Sequence, residues 1–353
     1  MSWEQTKSGS RSRNTFSSVP ATISVVVPMR NEEAHLGACL ASLLDQTYPL
    51  AGYEIIIVDG GSRDGSAELV RRLQREHGNI LLLENPAGIV PTAMNLGIAA
   101  ANGEFIVRAD AHSTYPRHYL ETCVRYLQDT GADNVGGPVI TVAADNSLSA
   151  RLVAAVLSNR FGVGNSRFRT SLKEGFVDTV PFGAFRKDLF ARVGAYDEQL
   201  GRNEDNDLNA RIRQAGGRIF LTPALTLNYF PTARFSQLLK QTYRSSEWHL
   251  FTLLRSRSSM SARHLLPAAF LLGLCALGGL GFVTPLAWLA LAGVVVAYLL
   301  AALGFTLQAS AEMSPGLVVL MPPAFLTFHL TYGIGVLAGT RFLFRRPSPR
   351  PTR

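Results

Sequence analysis

TISVVVPMRNEEAHLGACLASLLDQTYPLAGYEIIIVDGGSRDGS, residues 22–66, holds two β-branched runs separated by an amphipathic stretch. ISVVVP (23–28) reads as a buried strand that ends at a proline. From Glu33 to Gln46, Leu36, Leu40, Leu43 and Leu44 share one side of a helix. YEIIIVD (53–59) is a second near-continuous apolar strand, closed by a Gly/Ser/Asp turn. The pattern repeats downstream. A helix over 66–77, the strand NILLLE (79–84), a helix from Pro91 through Ala101, the strand GEFIVRAD (103–110), a helix over 116–128 and a fifth strand in DNVGGPV (133–139) follow in turn. Such alternation specifies an α/β domain around a mostly parallel sheet. Residues 162–176 contain few large apolar side chains and read as a mobile loop. VDTVPFGAFRKDLFARVG (177–194) reads as a strand and a short helix, and NEDNDLNARIRQAGGRIFLTP (203–223) as an acidic helix start, a helix, a Gly-Gly stop and a strand.

The 353 residues are 47% hydrophobic and only 17% charged, which excludes a disordered chain and fits poorly with a simple soluble domain. From Leu265 to Ala311 there is no charged residue, and at about 20 residues per membrane-spanning helix this run suffices for two. Thr284-Pro285 is the natural break. A third apolar stretch, 316–340, is interrupted by Pro322-Pro323 and is expected to be re-entrant, interfacial or spanning. The net charge of +8 is concentrated at the flanks of these segments, with Arg255, Arg257 and Arg263 before them and Arg341, Arg345, Arg346, Arg350 and Arg353 after. That placement is membrane-surface charge rather than a nucleic-acid footprint, and no nucleic-acid partner is expected. Arginines at both flanks favour the cytoplasm, which requires an even number of crossings. The polar residues 1–20 lack an apolar core segment and read as a disordered arm, not a secretory signal. The scattered Cys39, Cys123 and Cys275 form neither a disulfide framework nor a zinc spacing.

In open α/β sheets, ligands bind beyond the carboxyl ends of the strands. Here three strand ends present polar groups: Pro28-Met29-Arg30-Asn31-Glu32, Asp59-Gly60-Gly61-Ser62, and Asp110-Ala111-His112. The Gly60-Gly61-Ser62 turn has neither the third glycine of a dinucleotide loop nor the Gly-Lys of a P-loop. Asp64, ahead of Gly65 and a helix, reads as a cap. Asp110 and His112, two apart in extended chain, point to the same side and can reach one ion. A carboxylate with an imidazole suits Mn²⁺ better than Mg²⁺. Glu204, Asp205 and Asp207 open a helix, whose dipole is expected to keep such carboxylates ionised and able to take a proton from a hydroxyl.

In this order, VVVPMRNEE (25–33), IIIVDGGSRDGS (55–66), RADAHS (108–113), VPFGAFRKDLFARVGAYDE (180–198) and NEDNDLNARIRQAGGRI (203–219) resemble glycosyltransferase family 2 over residues 22–225. The resemblance implies the GT-A nucleotide-diphospho-sugar transferase fold, followed by C-terminal transmembrane helices. HLTYGIGVLAG (329–339) resembles the tail of the succinoglycan or exopolysaccharide-type, membrane-associated glucosyltransferases. By that resemblance Pro28, Arg30, Glu32 and Asp59 line the nucleotide pocket, and Asp110 meets the donor. Asp110 and His112 hold a divalent metal where the family has D-x-D, with histidine replacing the last aspartate. Asp205, with Glu204 beside it, matches the catalytic base, and Phe182 and Gly183 lie beneath the acceptor. The implied reaction is inverting transfer from a nucleotide sugar (UDP-glucose by family branch) to a polyprenyl-diphosphate-linked glycan. Transfer directly to polyprenyl phosphate and a catalytically silent membrane scaffold are the alternatives. Processive members carry Q-x-x-R-W before the membrane. Here Gln241-Thr242-Tyr243-Arg244 runs into Ser245, which favours single addition and leaves Trp248 as an expected interfacial anchor. The expected layout is an arm (1–20), a GT-A domain (21–232), an interfacial segment (233–263), a membrane domain (264–340) and a basic tail (341–353). The enzyme would be multi-pass in the inner membrane, with its catalytic domain cytoplasmic.

Overall fold

A computed structural model describes residues 22–164, 166–170, 172–256, 259 and 262–344. The expected N-terminal arm and most of the basic tail lie outside them. The first part alternates strand and helix: β1 (Ile23–Met29), α1 (Glu33–Leu44), β2 (Tyr53–Asp59), α2 (Ser66–Glu76), β3 (Ile80–Glu84), α3 (Val90–Ala100), β4 (Phe105–Arg108), β5 (Ser113–Thr114) and α4 (Tyr119–Thr130). Then follow β6 (Asn134–Gly136), β7 (Val139–Thr141), α5 (Leu148–Ser158), α6 (Arg160–Val163), α7 (Arg167–Thr170), β8 (Gly175–Val177), β9 (Ala184–Arg186), α8 (Leu189–Val193), α9 (Glu204–Gln214), β10 (Ile219–Leu221) and β11 (Leu227–Tyr229). The remainder is helical: α10 (Phe235–Glu247), α11 (His249–Arg255), α12 (Leu266–Gly281), α13 (Pro285–Gln308) and α14 (Pro315–Ala338).

The main sheet has the order β3-β2-β1-β4-β9-β6-β10-β8. Its β3-β2-β1-β4 half is parallel, with Val26 opposite Ile56 and Arg108, and both faces are covered by helices. Burial on both faces explains the unbroken apolar runs. The other half is mixed, because β9 runs antiparallel to β4 and β6, and β8 antiparallel to β10. The expected fifth strand is instead two, β6 in the main sheet and β7 in a small sheet of order β5-β11-β7. Gly137-Pro138 separates them, and Pro138 has no N–H to continue a ladder.

The stretch 162–176 differs from the expected mobile loop. It contributes the end of α6, all of α7 and the start of β8. Aromatic packing secures its two ends: Phe161, just before it, lies 5.2 Å from both Phe305 and Phe325, and Phe176 lies 5.1 Å from Phe220.

Pro285–Gln308 and Pro315–Phe344 are long and apolar enough to cross a membrane, while α12 is shorter. Much of the α12–α13 hairpin faces outward, with Phe282 87% exposed and Leu286 and Leu289 70%, so it is not the core hairpin of a soluble protein. Pro322 and Pro323 do not interrupt the third apolar stretch; α14 runs through both. One face of α14, from Leu317, Met321 and Phe325 to Val336, is buried, and it packs against α5 and α10. Trp248 is half-buried, with its ring 4.8 Å from Phe342 and 5.5 Å from Phe251.

Gly335 permits the contact between α10 and α14, since a Cβ there would stand 2.6 Å from the Tyr243 carbonyl oxygen and 2.0 Å from Ser246 Oγ. Gly335→Ala is expected to cost about 1–3 kcal/mol by overpacking, read as a lower Tm of the detergent-solubilised full-length protein.

Candidate active site

A single buried arginine organises the carboxyl edge of the sheet. Arg108 ends β4, and its side chain is 6% exposed. One guanidinium nitrogen, Nη1, donates to Asp205 Oδ1 at 2.5 Å and to Glu204 Oε1 at 3.2 Å, while Nη2 lies 3.6 Å from Asp110 Oδ1. Three carboxylates, Asp110 two residues on and the neighbours Glu204 and Asp205 from α9, thus share one cation, the arrangement that makes a buried charge tolerable. Phe182 lies 5.8 Å from the guanidinium carbon, ring face toward it. Its φ of +48° is rare for a bulky residue and costs on the order of 1–3 kcal/mol.

Glu204 and Asp205 occupy the first turn of α9, after Asn203 in a left-handed conformation (φ 65°). The acidic cluster splits there. Asp207 is fully buried and accepts from Arg211 Nε at 2.8 Å, and Arg211 also binds the carbonyls of Val193, Gly194 and Ala195. Asp207 is therefore structural. Asp205 keeps 27% of its side chain open. The expectation that the helix dipole keeps it firmly ionised is corrected by its surroundings. Burial, with the negative charges of Glu204 and Asp110, outweighs Arg108 and pushes its pKa up to about 7. A carboxylate poised near neutrality is well matched to general-base work.

His112 is held from three sides. Its carbonyl accepts from Phe230 N at 2.9 Å, its ring meets the Tyr229 ring at 5.1 Å, and its Nδ1 lies 3.1 Å from Glu32 Oε1. Nε2 then faces Asp110 Oδ2 at 3.8 Å. Burial opposes a charged ring, but the Glu32 hydrogen bond and the negative charge of Asp110 prevail and push the pKa up to about 10. That value describes the metal-free ring; a divalent ion would displace the Nε2 proton and leave Nδ1–H on the Glu32 carboxylate, the usual setting of a metal-ligating imidazole. Asp110 and His112 therefore fit a divalent ion. Among the described residues no cluster of three or more such ligands exists, so an ion here would complete its shell from substrate or water.

The other expected residues sit around this centre. Asp59 Oδ1 accepts from the backbone and hydroxyl of Ser62 at 3.0 and 2.6 Å, shaping the turn after β2. Arg30 Nη1 donates to the Gly88 carbonyl at 3.4 Å. Pro28 lies in β1 opposite Val58. Asp64 shapes the turn before α2, accepting from Ser66 N and Oγ at 3.1 and 2.6 Å, while Gly65 stands at the N-cap. Gly183 accepts from Arg108 N at 3.0 Å, and a Cβ on it would come within 2.0 Å of Asn134 Oδ1.

Two residues escape a strand-end reading: Arg108 and Tyr229. Arg169 lies over the Tyr229 ring at 5.4 Å and donates to Thr141 Oγ1 at 3.1 Å. The signals existed: an arginine inside the apolar run FIVR needs buried partners, and LTLNY alternates at strand period.

Residues 24–194 match the sequence model described as Glycosyl transferase family 2. The succinoglycan biosynthesis protein ExoA of Rhizobium meliloti is 33% identical over 247 residues, covering 69% of this chain and 74% of that protein. The chain belongs to glycosyl transferase family 2. It is a glycosyltransferase, as its motifs implied. A dolichyl N-acetyl-alpha-D-glucosaminyl phosphate 3-beta-D-2,3-diacetamido-2,3-dideoxy-beta-D-glucuronosyltransferase of Methanococcus voltae is 28% identical over 62% of this chain and 70% of its own length. Among solved structures, the mannosyltransferase PcManGT of Pyrobaculum calidifontis, in complex with GDP-Man and Mn²⁺, matches at a TM-score of 0.55 and 19% identity, over 94% of this chain and 89% of that one. The family-2 fold is the expected GT-A fold.

Proposed function

We propose that this family-2 enzyme transfers a single sugar from a nucleotide-sugar donor to a lipid-linked glycan in exopolysaccharide or cell-surface glycan synthesis. The observation that carries the reading is the Arg108 junction, which ties the Asp205 carboxylate to the Asp110–His112 pair. UDP-glucose is the proposed donor by family branch. Residues 21–232 form the catalytic domain, and the segments from 233 onward hold it at the cytoplasmic face of the inner membrane as a multi-pass protein. The relatives support this reading: ExoA is named for succinoglycan biosynthesis, and the Methanococcus relative for a dolichyl-linked sugar phosphate.

Asp205 takes the proton of an acceptor hydroxyl as that oxygen attacks the anomeric carbon from the face opposite the leaving group. The bond to the diphosphate breaks, nucleoside diphosphate leaves, and the configuration inverts. Glu204 keeps Arg108 in place beside Asp205 and Asp110. Pro28, Arg30, Glu32 and Asp59 border the nucleotide pocket, while Phe182 and Gly183 form the floor under the acceptor. Asp110 and His112 would hold a divalent metal, Mn²⁺ before Mg²⁺, whose positive charge would offset that of the diphosphate. Glu32 orients His112 for this role. Glu32→Gln is expected to weaken Mn²⁺ binding about 10–100-fold, measured by the electron paramagnetic resonance of free Mn²⁺.

The test is donor turnover by the detergent-solubilised full chain with UDP- and GDP-sugars, in Mn²⁺, Mg²⁺ or EDTA, with lipid extract as acceptor. Metal-dependent release of nucleoside diphosphate from one donor, coupled to a glycolipid product, is expected. A product with one sugar on lipid phosphate would favour direct transfer to polyprenyl phosphate. No turnover of any donor would leave the silent scaffold. With Asp205 titrating at about 7, kcat/KM should rise as pH increases through neutrality and level off above it, because only the deprotonated carboxylate accepts the proton.

A further inference from the structure

Where α5 and α6 meet α13 and α14, a cleft of about 550 Å³ opens. Thr141, Arg151 and Arg160 line it on one side, and Phe305, Met313 and Leu317 on the other. No carboxylate lines it among the described residues. Both arginines are exposed, at the seam where the helices of the catalytic half meet the two candidate membrane spans. Guanidinium groups beside an apolar wall match a phosphate head on a hydrocarbon tail: the forked N–H groups take phosphate oxygens, and the tail removes apolar surface from water. Basic pockets against membrane helices bind lipid head groups for this reason.

The cleft is built rather than incidental. Asn159 is buried, and its Nδ2 donates to the Phe305 carbonyl at 3.2 Å, which ties the α5–α6 junction to α13. The stacking of Phe161 on Phe305 fixes the same seam. The cleft also adjoins the active site. Thr141 on its wall accepts from Arg169, Arg169 covers Tyr229, and Tyr229 touches His112.

We infer that this cleft seats the phosphate end of a prenyl-diphosphate-linked acceptor, with its tail along α13 and α14 and its saccharide reaching past Tyr229 toward Asp205. The inference rests on the proposed transfer to a lipid-linked glycan and deepens it. Because the cleft is separated from Asp110 and His112 by Arg169 and Tyr229, a phosphate held there is not the nucleophile. The reacting hydroxyl belongs to the sugar.

Farnesyl diphosphate is the probe, with farnesol and inorganic pyrophosphate as its apolar and anionic halves, binding to the full chain in detergent. Arg151→Gln with Arg160→Gln should weaken farnesyl diphosphate binding at least about tenfold, leave farnesol unchanged, and raise the KM for lipid acceptor with little change in the KM for donor. Ala155→Trp, which fills the same cleft from one turn beyond Arg151 on α5 without removing a charge, should also block the probe, and the Tm of each variant separates loss of the site from loss of the fold. Equal farnesyl diphosphate binding in the wild type and both variants overturns the inference. So does displacement by phosphatidylglycerol at equal concentration, which assigns the cleft to bulk anionic lipid. Failure of donor turnover strikes the proposed function instead, and the binding arm still decides the cleft.

Discussion

Asp205→Asn is expected to lower kcat by about 10²–10⁴-fold while leaving the KM for the nucleotide sugar nearly unchanged. The substitution keeps the size of the side chain and an oxygen that can accept from Arg108 Nη1, now at 2.5 Å. It removes the capacity to hold a proton, so the loss falls on the chemical step and not on donor binding. The rise of kcat/KM through neutrality should disappear with it, since the group titrating at about 7 is gone. Initial rates of nucleoside diphosphate release from pH 5.5 to 9 read both effects. A variant retaining more than a third of wild-type kcat would remove Asp205 from the role of base.

The second large effect belongs to Arg108, whose role is positioning. Arg108→Met leaves Asp205, Glu204 and Asp110 facing one another without their cation, and breaking such buried pairing costs about 3–5 kcal/mol. Arg108 is also what holds down the pKa of Asp205 against burial and the other two carboxylates. Its removal should therefore move the rise of the pH–rate profile upward from neutrality, with activity poor at pH 7 and partly restored near pH 9. Arg108→Lys keeps the charge but not the fork that spans Glu204, Asp205 and Asp110. It should restore much of the Tm and bring the pH profile part-way back. A merely structural arginine would lower Tm and leave the profile where it was.

Much of this was legible in the chain. The runs at 23–28 and 53–59 are buried on both sheet faces, and such burial writes itself as unbroken β-branched sequence. The uncharged run 265–311 announced its helices equally well, since no soluble core asks for so long a stretch. Strand-end reasoning placed Asp110, His112 and Asp59 on one edge, because a parallel sheet fixes which edge the polar residues share. It could not apportion the cluster at 204–207. Asp207 pairs with Arg211 four residues on, a spacing that is visible locally, whereas Asp205 meets an arginine 97 positions away, which no neighbouring residue announces.

What the sequence by itself determined is the alternation of strand and helix, the edge that carries the site, the apolar C-terminal helices and the family. These follow from periodicity, composition and short motifs, which are local properties. Only the tertiary structure decided that Arg108 joins Asp110 to Asp205, that Glu32 meets His112, that α14 runs unbroken through two prolines, and that Trp248 packs on Phe342. It also raised Asp205 to about 7 where helix position alone argued for full ionisation. Each of these depends on which distant groups surround a side chain and how much water they exclude, and neither quantity is written in the neighbouring residues.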